Sequence, residues 1–199
     1  MNFVYCAYWL DERSASDIFF WFRKRRYLKR IVALHGSLGI SGDYSVSRAI
    51  PVQLEAGNLV SIGPDIYQRE QRMVPKAAAA WQSMRESASA ENVKLQVVSA
   101  YRSVDYQEGI LRRKLDNGQE METILQVSAA PGYSEHHTGR AIDITTPGYP
   151  ALEEEFEQSE AFSWLTKSAG NFGFHLSFPR ENPHGVAYEP WHWAWQEDR

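Results

Sequence analysis

The chain has 199 residues, of which 43% are hydrophobic and 23% charged, and its formal net charge is -4. These values are typical of a globular protein with a sizeable core, and the negative charge gives no reason to expect a nucleic-acid partner. A single cysteine, Cys6, excludes an intramolecular disulfide and a zinc site built from several thiolates.

The first 50 residues are basic and aromatic, with eight Lys or Arg and four Asp or Glu. We predict that residues 1–50 form an N-terminal extension and residues 51–199 the functional domain. Residues 18–22 read I-F-F-W-F, and a basic cluster follows at residues 23–30. Two interpretations stay open: a helix lying on a membrane surface, or a helix whose aromatic side packs on the domain while its charges face water.

No stretch reaches the roughly 18 apolar residues that a membrane span requires, so we predict no integral span. The opening segment F-V-Y-C-A-Y-W-L lacks a basic start and runs into Asp11 and Glu12. It therefore makes a poor secretion signal. The sequence leaves both the compartment, envelope or cytoplasm, and the oligomeric state open.

Helical and strand-like patterns alternate through the rest of the chain. We predict helices over 67–90, with Pro75 near the start, and over 104–115, 121–127 and 159–169. Strands are predicted over 95–99 and 172–178. Ser103 is a suitable N-cap for the second helix.

The stretch Y-S-E-H-H-T-G-R-A-I-D, residues 133–143, carries the first candidate metal ligands. His136 and Asp143 are too far apart in sequence for one helical face, but a loop followed by a strand fits their spacing. In that strand, Asp143 points away from the side that Ile142 faces. Adjacent residues of an extended segment point in opposite directions, so we expect only one of His136 and His137 to bind a metal.

A second candidate segment, E-P-W-H-W-A-W, occupies residues 189–195. Its three Trp residues fall on one strand face, which is most simply explained by core or interface packing. His192 falls on the opposite face. Two imidazoles and one carboxylate make a three-ligand zinc site, and Glu189 is then available as a base. The other lone histidines, His35, His175 and His184, are taken as structural.

The segment S-A-Y-R-S, residues 99–103, places Arg102 at a strand-to-helix junction. There its planar guanidinium could face a cleft and bind a carboxylate or an oxyanion. The alternative is a surface arginine beside Asp105, and position alone does not separate the two.

Taken together, S-A-Y-R-S, S-E-H-H-T-G-R-A-I-D and E-P-W-H-W resemble the VanY-type D-alanyl-D-alanine carboxypeptidases. These belong with the lysostaphin, D-Ala-D-Ala peptidase and hedgehog-like zinc domains. The resemblance covers roughly residues 59–195 and excludes the first 50. It implies an α+β fold with a small, mostly antiparallel central sheet, helices packed on one side, and a zinc cleft on the sheet.

The resemblance also implies a role for individual residues. His136, Asp143 and His192 would bind Zn²⁺, Glu189 would be the catalytic base, and Arg102 would bind the substrate carboxylate or the tetrahedral intermediate. The substrate-binding residues would be Arg102, Gln107, Ser134, Tyr101 and His137. Members of the family commonly have Gln at the position of His137, so peptide specificity is the property that this difference affects.

The activity implied is hydrolysis of peptidoglycan stem peptides at D-Ala-D-Ala. Three alternatives stay open: an L,D-carboxypeptidase, a peptidoglycan endopeptidase with the same site, or a non-catalytic zinc-binding module of the hedgehog-like kind. Glu189 and Arg102 together argue against the last of these.

Overall fold

The computed structural model describes residues 15–197, and side chains from residue 21 onward. Six helices are described: α1 (Ala15–Leu38), α2 (Tyr44–Ser47), α3 (Pro75–Ala90), α4 (Val104–Asp116), α5 (Met121–Val127) and α6 (Glu160–Ser168). Six strands are described: β1 (Val60–Pro64), β2 (Glu70–Met73), β3 (Gln96–Ser99), β4 (Ala141–Thr145), β5 (Phe174–Leu176) and β6 (His192–Trp195). Three short 3-10 turns occupy Glu135–Thr138, Glu154–Gln158 and Ala169–Phe172. Within this part of the chain, no helix combines the length and apolar character needed to cross a membrane.

The central sheet has four strands in the order β3-β4-β6-β5, and every neighbouring pair is antiparallel. Strands β4 and β6 occupy its middle, where Asp143 lies opposite His192 and Ile142 lies opposite Trp193. A separate hairpin joins β1 to β2. The predicted α+β fold with a small antiparallel sheet is confirmed.

One face of the sheet packs against α3 and α6 to form the main core, which we call the sheet cluster. Ile142 and Trp193 contribute from the sheet, Trp81 from α3 and Leu165 from α6, and all four are nearly fully buried. Because side chains alternate along a strand, Asp143 and His192 face the other side. Helices α3 and α6 thus pack on one side of the sheet and the cleft opens on the other, as predicted.

A second core, the helix cluster, forms where the N-terminal segment meets α4 and α5. Its buried members are Leu38, Ile40, Tyr44, Leu111, Ile124, Leu125 and Ala130. Ile31 of α1 is also buried, and it lies so close to Gly132 that an added Cβ there would approach Ile31 Cδ1 to 2.7 Å. The N-terminal segment thus contacts the loop that precedes the histidines. The proposed boundary near residue 50 stays a prediction.

Helix α1 buries one face, and its basic residues from Arg23 to Arg26 are exposed. This agrees with a helix packed on the domain. The inward packing of the aromatic side that this interpretation includes does not hold for Trp21 and Phe22, which are 43% and 59% exposed. The side chains of residues 18–20 lie outside the described residues.

The predicted helix over 67–90 is wrong in its first part. Glu70–Met73 is a strand that pairs with β1, and the helix begins at Pro75, whose missing N–H costs nothing at that position. Pairing with β1 decides the conformation of this polar segment. Helix α4 begins after Ser103, whose hydroxyl accepts from Tyr106 N as predicted. The strand predicted over 172–178 is shorter, Phe174–Leu176.

Candidate active site

A cleft of about 570 Å³ opens on the face of the sheet opposite α3 and α6. The residues that line it come from segments that are far apart in the chain. They include Arg102, Gln107, Ser134, Glu135, His136, Asp143, Glu189 and His192. The three motifs singled out in the sequence therefore meet in one place.

His136, Asp143 and His192 converge at the floor of this cleft. His136 Nε2 lies 3.2 Å and His192 Nδ1 lies 3.0 Å from the same oxygen, Asp143 Oδ1. Each residue offers one ligand atom, and these atoms all lie within 4.8 Å of one another. All three side chains are almost fully buried. Two imidazole nitrogens and one carboxylate oxygen at this spacing could hold a metal ion.

The outer nitrogens of both rings are held by hydrogen bonds. His136 Nδ1 lies 2.5 Å from the carbonyl oxygen of Ala100. His192 Nε2 lies 2.9 Å from Glu135 Oε2. Such partners orient the rings of metal-binding histidines. Glu135 was missed at the sequence level, because its partner follows 57 residues later.

Local backbone geometry explains why these residues meet. Strand pairing sets Asp143 directly opposite His192. His136 lies in the 3-10 turn Glu135–Thr138, which ends at Gly139 with φ +65°. A Cβ atom at Gly139 would come within 2.7 Å of Leu59 Cδ2, so glycine is required both for the left-handed backbone and for the close approach.

The carboxylates of Asp143 and Glu135 favour a positive charge at the position between them, where His192 lies. Burial alone lowers the pKa of His192, but its hydrogen bonds to Asp143 and Glu135 outweigh burial and raise that pKa to about 10. Burial and the Arg102 charge lower the pKa of His136 to about 4. Burial opposes ionisation of Asp143, but nearby His136 and Arg102 hold its pKa well below the ordinary value. This donor set therefore fits a divalent cation.

Glu189 lies at the edge of the cluster, and its side chain is 14% exposed. Its Oε2 is 3.8 Å from His192 Nδ1. Burial raises the pKa of the Glu189 carboxyl to about 7, and the charge of Asp143 adds to the rise. A carboxyl with this pKa can both accept and release a proton near neutral pH.

Arg102 faces the cleft, and the alternative of a surface arginine beside Asp105 is wrong. Its Nη2 donates to Asp143 Oδ2, and its Nε donates to Ser99 Oγ at 2.8 Å. Asp105 instead pairs with Arg30 of α1. A guanidinium has five N–H donors, so Arg102 can hold both partners and still present donors to a ligand.

Only some of the remaining predicted substrate residues line the cleft. Gln107 and Ser134 line it and are almost fully buried. Gln107 Nε2 donates to Ala129 O at 2.9 Å, and its Oε1 is one of the buried acceptors without a partner among the described residues. Tyr101 instead lines a smaller neighbouring depression that it shares with Arg102.

His137 does not line the cleft, although we expected it to be a pocket residue. It is fully buried, with Nδ1 at 2.6 Å from Arg102 O and Nε2 accepting from Gly132 N at 3.0 Å. Although His137 is adjacent to His136 in the chain, it points to the opposite side and links the loop at Arg102 to the loop at Gly132. The physical reason is that both of its nitrogens are occupied by the backbone.

The other histidines in the described chain are not among the residues that converge on Asp143. His35 is buried, with Nε2 2.8 Å from Pro131 O, and His184 Nδ1 lies 3.2 Å from Arg48 O. His175 Nε2 contacts the exposed Gln196.

Comparison with known proteins places this site in a family. The model of the VanY family, D-alanyl-D-alanine carboxypeptidase, matches residues 70–198. A putative carboxypeptidase, YodJ of Bacillus subtilis, is 33% identical over 158 residues, which cover 72% of this chain and 55% of YodJ. The chain thus spans little more than half of that relative.

Two solved structures share the fold. One, of the LD-carboxypeptidase LdcB, superposes with a TM-score of 0.64 at 30% identity, covering 73% of this chain and 71% of LdcB. Another, of VanYB in complex with D-alanine-D-alanine, gives 0.56 at 26% identity, covering 73% of this chain and 80% of VanYB. The family match and the convergence of its motifs in one cleft lead to one conclusion: this chain belongs to the VanY family of D-alanyl-D-alanine carboxypeptidases.

Proposed function

We propose that this protein is a zinc-dependent carboxypeptidase that hydrolyses peptidoglycan stem peptides ending in D-Ala-D-Ala. The observation that carries the proposal is the convergence of His136 Nε2 and His192 Nδ1 on Asp143 Oδ1 inside a cleft. Glu189 and Arg102 line the same cleft. Family membership supplies the substrate class, and VanYB has been solved with D-alanine-D-alanine.

His136, Asp143 and His192 would hold the Zn²⁺ ion. Three protein ligands leave a coordination position open, which is the arrangement of catalytic rather than structural zinc. When bound, the ion would supply Lewis-acid polarisation of the scissile carbonyl and a lower pKa for the attacking water.

Glu189 would move the proton. Its carboxylate would accept a proton from the attacking water at one carboxyl oxygen and later donate it to the nitrogen of the leaving amino acid. Its Oε2 lies 3.8 Å from His192 Nδ1, at the edge of the proposed metal set, where a carboxylate can reach a water bound there.

Arg102 and Gln107 would orient the peptide. The free donors of the Arg102 guanidinium suit the C-terminal carboxylate of the substrate. Gln107 Oε1 is a buried acceptor without a protein partner in the described chain, so a substrate N–H would satisfy it. Ser134 lies beside them in the cleft wall. Tyr101 lies in the neighbouring depression, so it would contact only a part of the substrate that extends past Arg102.

A second candidate activity is L,D-carboxypeptidase. The 30% identity to LdcB, with the higher TM-score of the two structures described above, favours it. Both activities use the same metal set and differ in the stereochemistry of the residue before the cleaved bond. Loops around the cleft therefore decide between them.

The test is to incubate the zinc-loaded protein with stem peptides ending in D-Ala-D-Ala and with peptides ending in an L-residue followed by D-Ala. Mass spectrometry then identifies the released residue. We expect release of one D-Ala from the first peptide. Release only from the second would establish the alternative activity, and bound zinc without cleavage of either would indicate a binding module.

Substitution tests the role of Glu189. We expect Glu189→Gln to lower kcat by about 10²–10⁴-fold, the usual contribution of a general base, while zinc stays bound. Glu155→Gln is the matched control, because Glu155 is exposed and lies outside the cleft. Near-normal turnover by Glu189→Gln would show that the proton is moved by another group.

A further inference from the structure

The two histidines of the proposed metal set face Asp143 through different nitrogens. His136 presents Nε2 and gives Nδ1 to the Ala100 carbonyl, whereas His192 presents Nδ1 and gives Nε2 to Glu135. A carbonyl oxygen only accepts, so the His136 proton lies on Nδ1 and the Nε2 lone pair is available. His136 is thus fixed by the backbone, while His192 depends on a side chain.

We propose that Glu135 is a positioning residue for the metal centre. Its carboxylate accepts the Nε2–H of His192, so Nδ1 is the nitrogen left to bind an ion at the point where His136 and Asp143 converge. This inference rests on the proposed function, because it concerns the same zinc site. A carboxylate in this position fixes the tautomer and orientation of a histidine ligand.

The geometry supports this role in two ways. The Nε2–Oε2 distance of 2.9 Å is that of a normal hydrogen bond, and His192 is only 3% exposed, so water has little access to its Nε2. Glu135 also precedes His136 in the same 3-10 turn. One short turn therefore supplies one ligand and orients another from a distant strand.

The alternative role for Glu135 is direct contact with the substrate, since its side chain is 29% exposed and lines the cleft. The two roles differ in what they affect. A positioning residue changes zinc affinity and the His192 tautomer, whereas a substrate contact changes KM at saturating zinc.

The test compares zinc affinity of the full chain and its variants by competition with a chromogenic chelator. We expect Glu135→Ala to weaken zinc binding by about 10–100-fold, the usual effect of removing such a partner. Glu135→Gln keeps an oxygen that accepts from Nε2–H, so it should lose less. Glu155→Ala, at an exposed site, should bind zinc like the unaltered protein.

Nitrogen-15 NMR of the unaltered, zinc-loaded protein gives a readout that needs no variant. We expect the His192 proton on Nε2 and the metal on Nδ1. A metal on Nε2, unchanged zinc affinity in a folded Glu135→Ala variant, or a change in KM alone would overturn the proposal. Failure of the unaltered protein to bind zinc would instead overturn the proposed function.

Discussion

The sheet cluster and the helix cluster contribute differently to the active site. Strands β4 and β6, packed on the sheet cluster, carry Asp143 and His192 directly opposite each other. The helix cluster instead holds the loops around them: α1 contacts Gly132, and α4 carries Gln107 into the cleft wall. Two of the three proposed ligands therefore depend on the sheet, whereas one wall of the cleft depends on α4, which belongs to the helix cluster.

The adjacent histidines show this division within a single turn. His136 faces the sheet and points its Nε2 at Asp143. His137 points the other way and links Gly132 N to Arg102 O. Two neighbouring histidines therefore have separate roles, and substituting each of them in turn tests whether the two regions differ in function.

The largest expected effect separates these two residues. We expect His136→Ala to abolish zinc binding and turnover. His137→Ala should keep the zinc site but destabilise the fold by about 1–3 kcal/mol, because it leaves two buried backbone groups without partners. Metal analysis and urea unfolding of both variants check this. Loss of zinc from a folded His137→Ala protein would contradict the division.

The next expected effect concerns α1. Ile31→Ala removes a buried side chain against Gly132, so it should lower the free energy of unfolding by about 2–5 kcal/mol. Zinc affinity of the folded protein should not change. Val32→Ala is the matched control, since Val32 is 72% exposed and surface changes usually stay within about 0.5 kcal/mol. Equal effects of the two would mean that α1 does not support the domain.

The smallest expected effect lies in the β1–β2 hairpin. Burial alone raises the pKa of Asp65, but hydrogen bonds from Arg69 and Tyr67 outweigh burial and lower it. Because the folded-state pKa is below the unfolded one, the stability from Asp65 is complete above the ordinary pKa of 3.8 and is lost as pH falls through the folded-state value.

Asp65→Asn should therefore destabilise the protein at pH 7 by about 1.5–3 kcal/mol, the contribution of hydrogen bonds to a charged group, and the loss should shrink in acid. Thermal unfolding from pH 2 to pH 7 measures this. A difference between variant and unaltered protein that stayed constant over this range would rule out the ionised carboxylate as its source.

Much of the site was predictable because strand alternation is a local rule. Alternation predicted that Asp143 points away from the side that Ile142 faces and that His192 points away from the side that Trp193 faces. The structure confirms both predictions. The Ser103 cap was predictable for the same reason, since its partner lies three residues away.

The parts that the sequence did not predict depend on distant partners. Glu135 gains its role from His192, and strand β2 forms because β1 pairs with it. His137 was expected in the pocket, but Gly132 N and Arg102 O occupy its two nitrogens. None of these contacts produces a periodic pattern in the sequence, because each depends on a partner that only the folded chain brings near.

The direct pairing of Asp143 with His192 has a thermodynamic consequence. An ion held by these two residues would crosslink the two middle strands, and an unfolded chain could not reproduce that crosslink. Free zinc at 100 times its Kd would then stabilise the folded state by about 2.7 kcal/mol. The unfolding temperature of this protein would consequently report the zinc concentration around it.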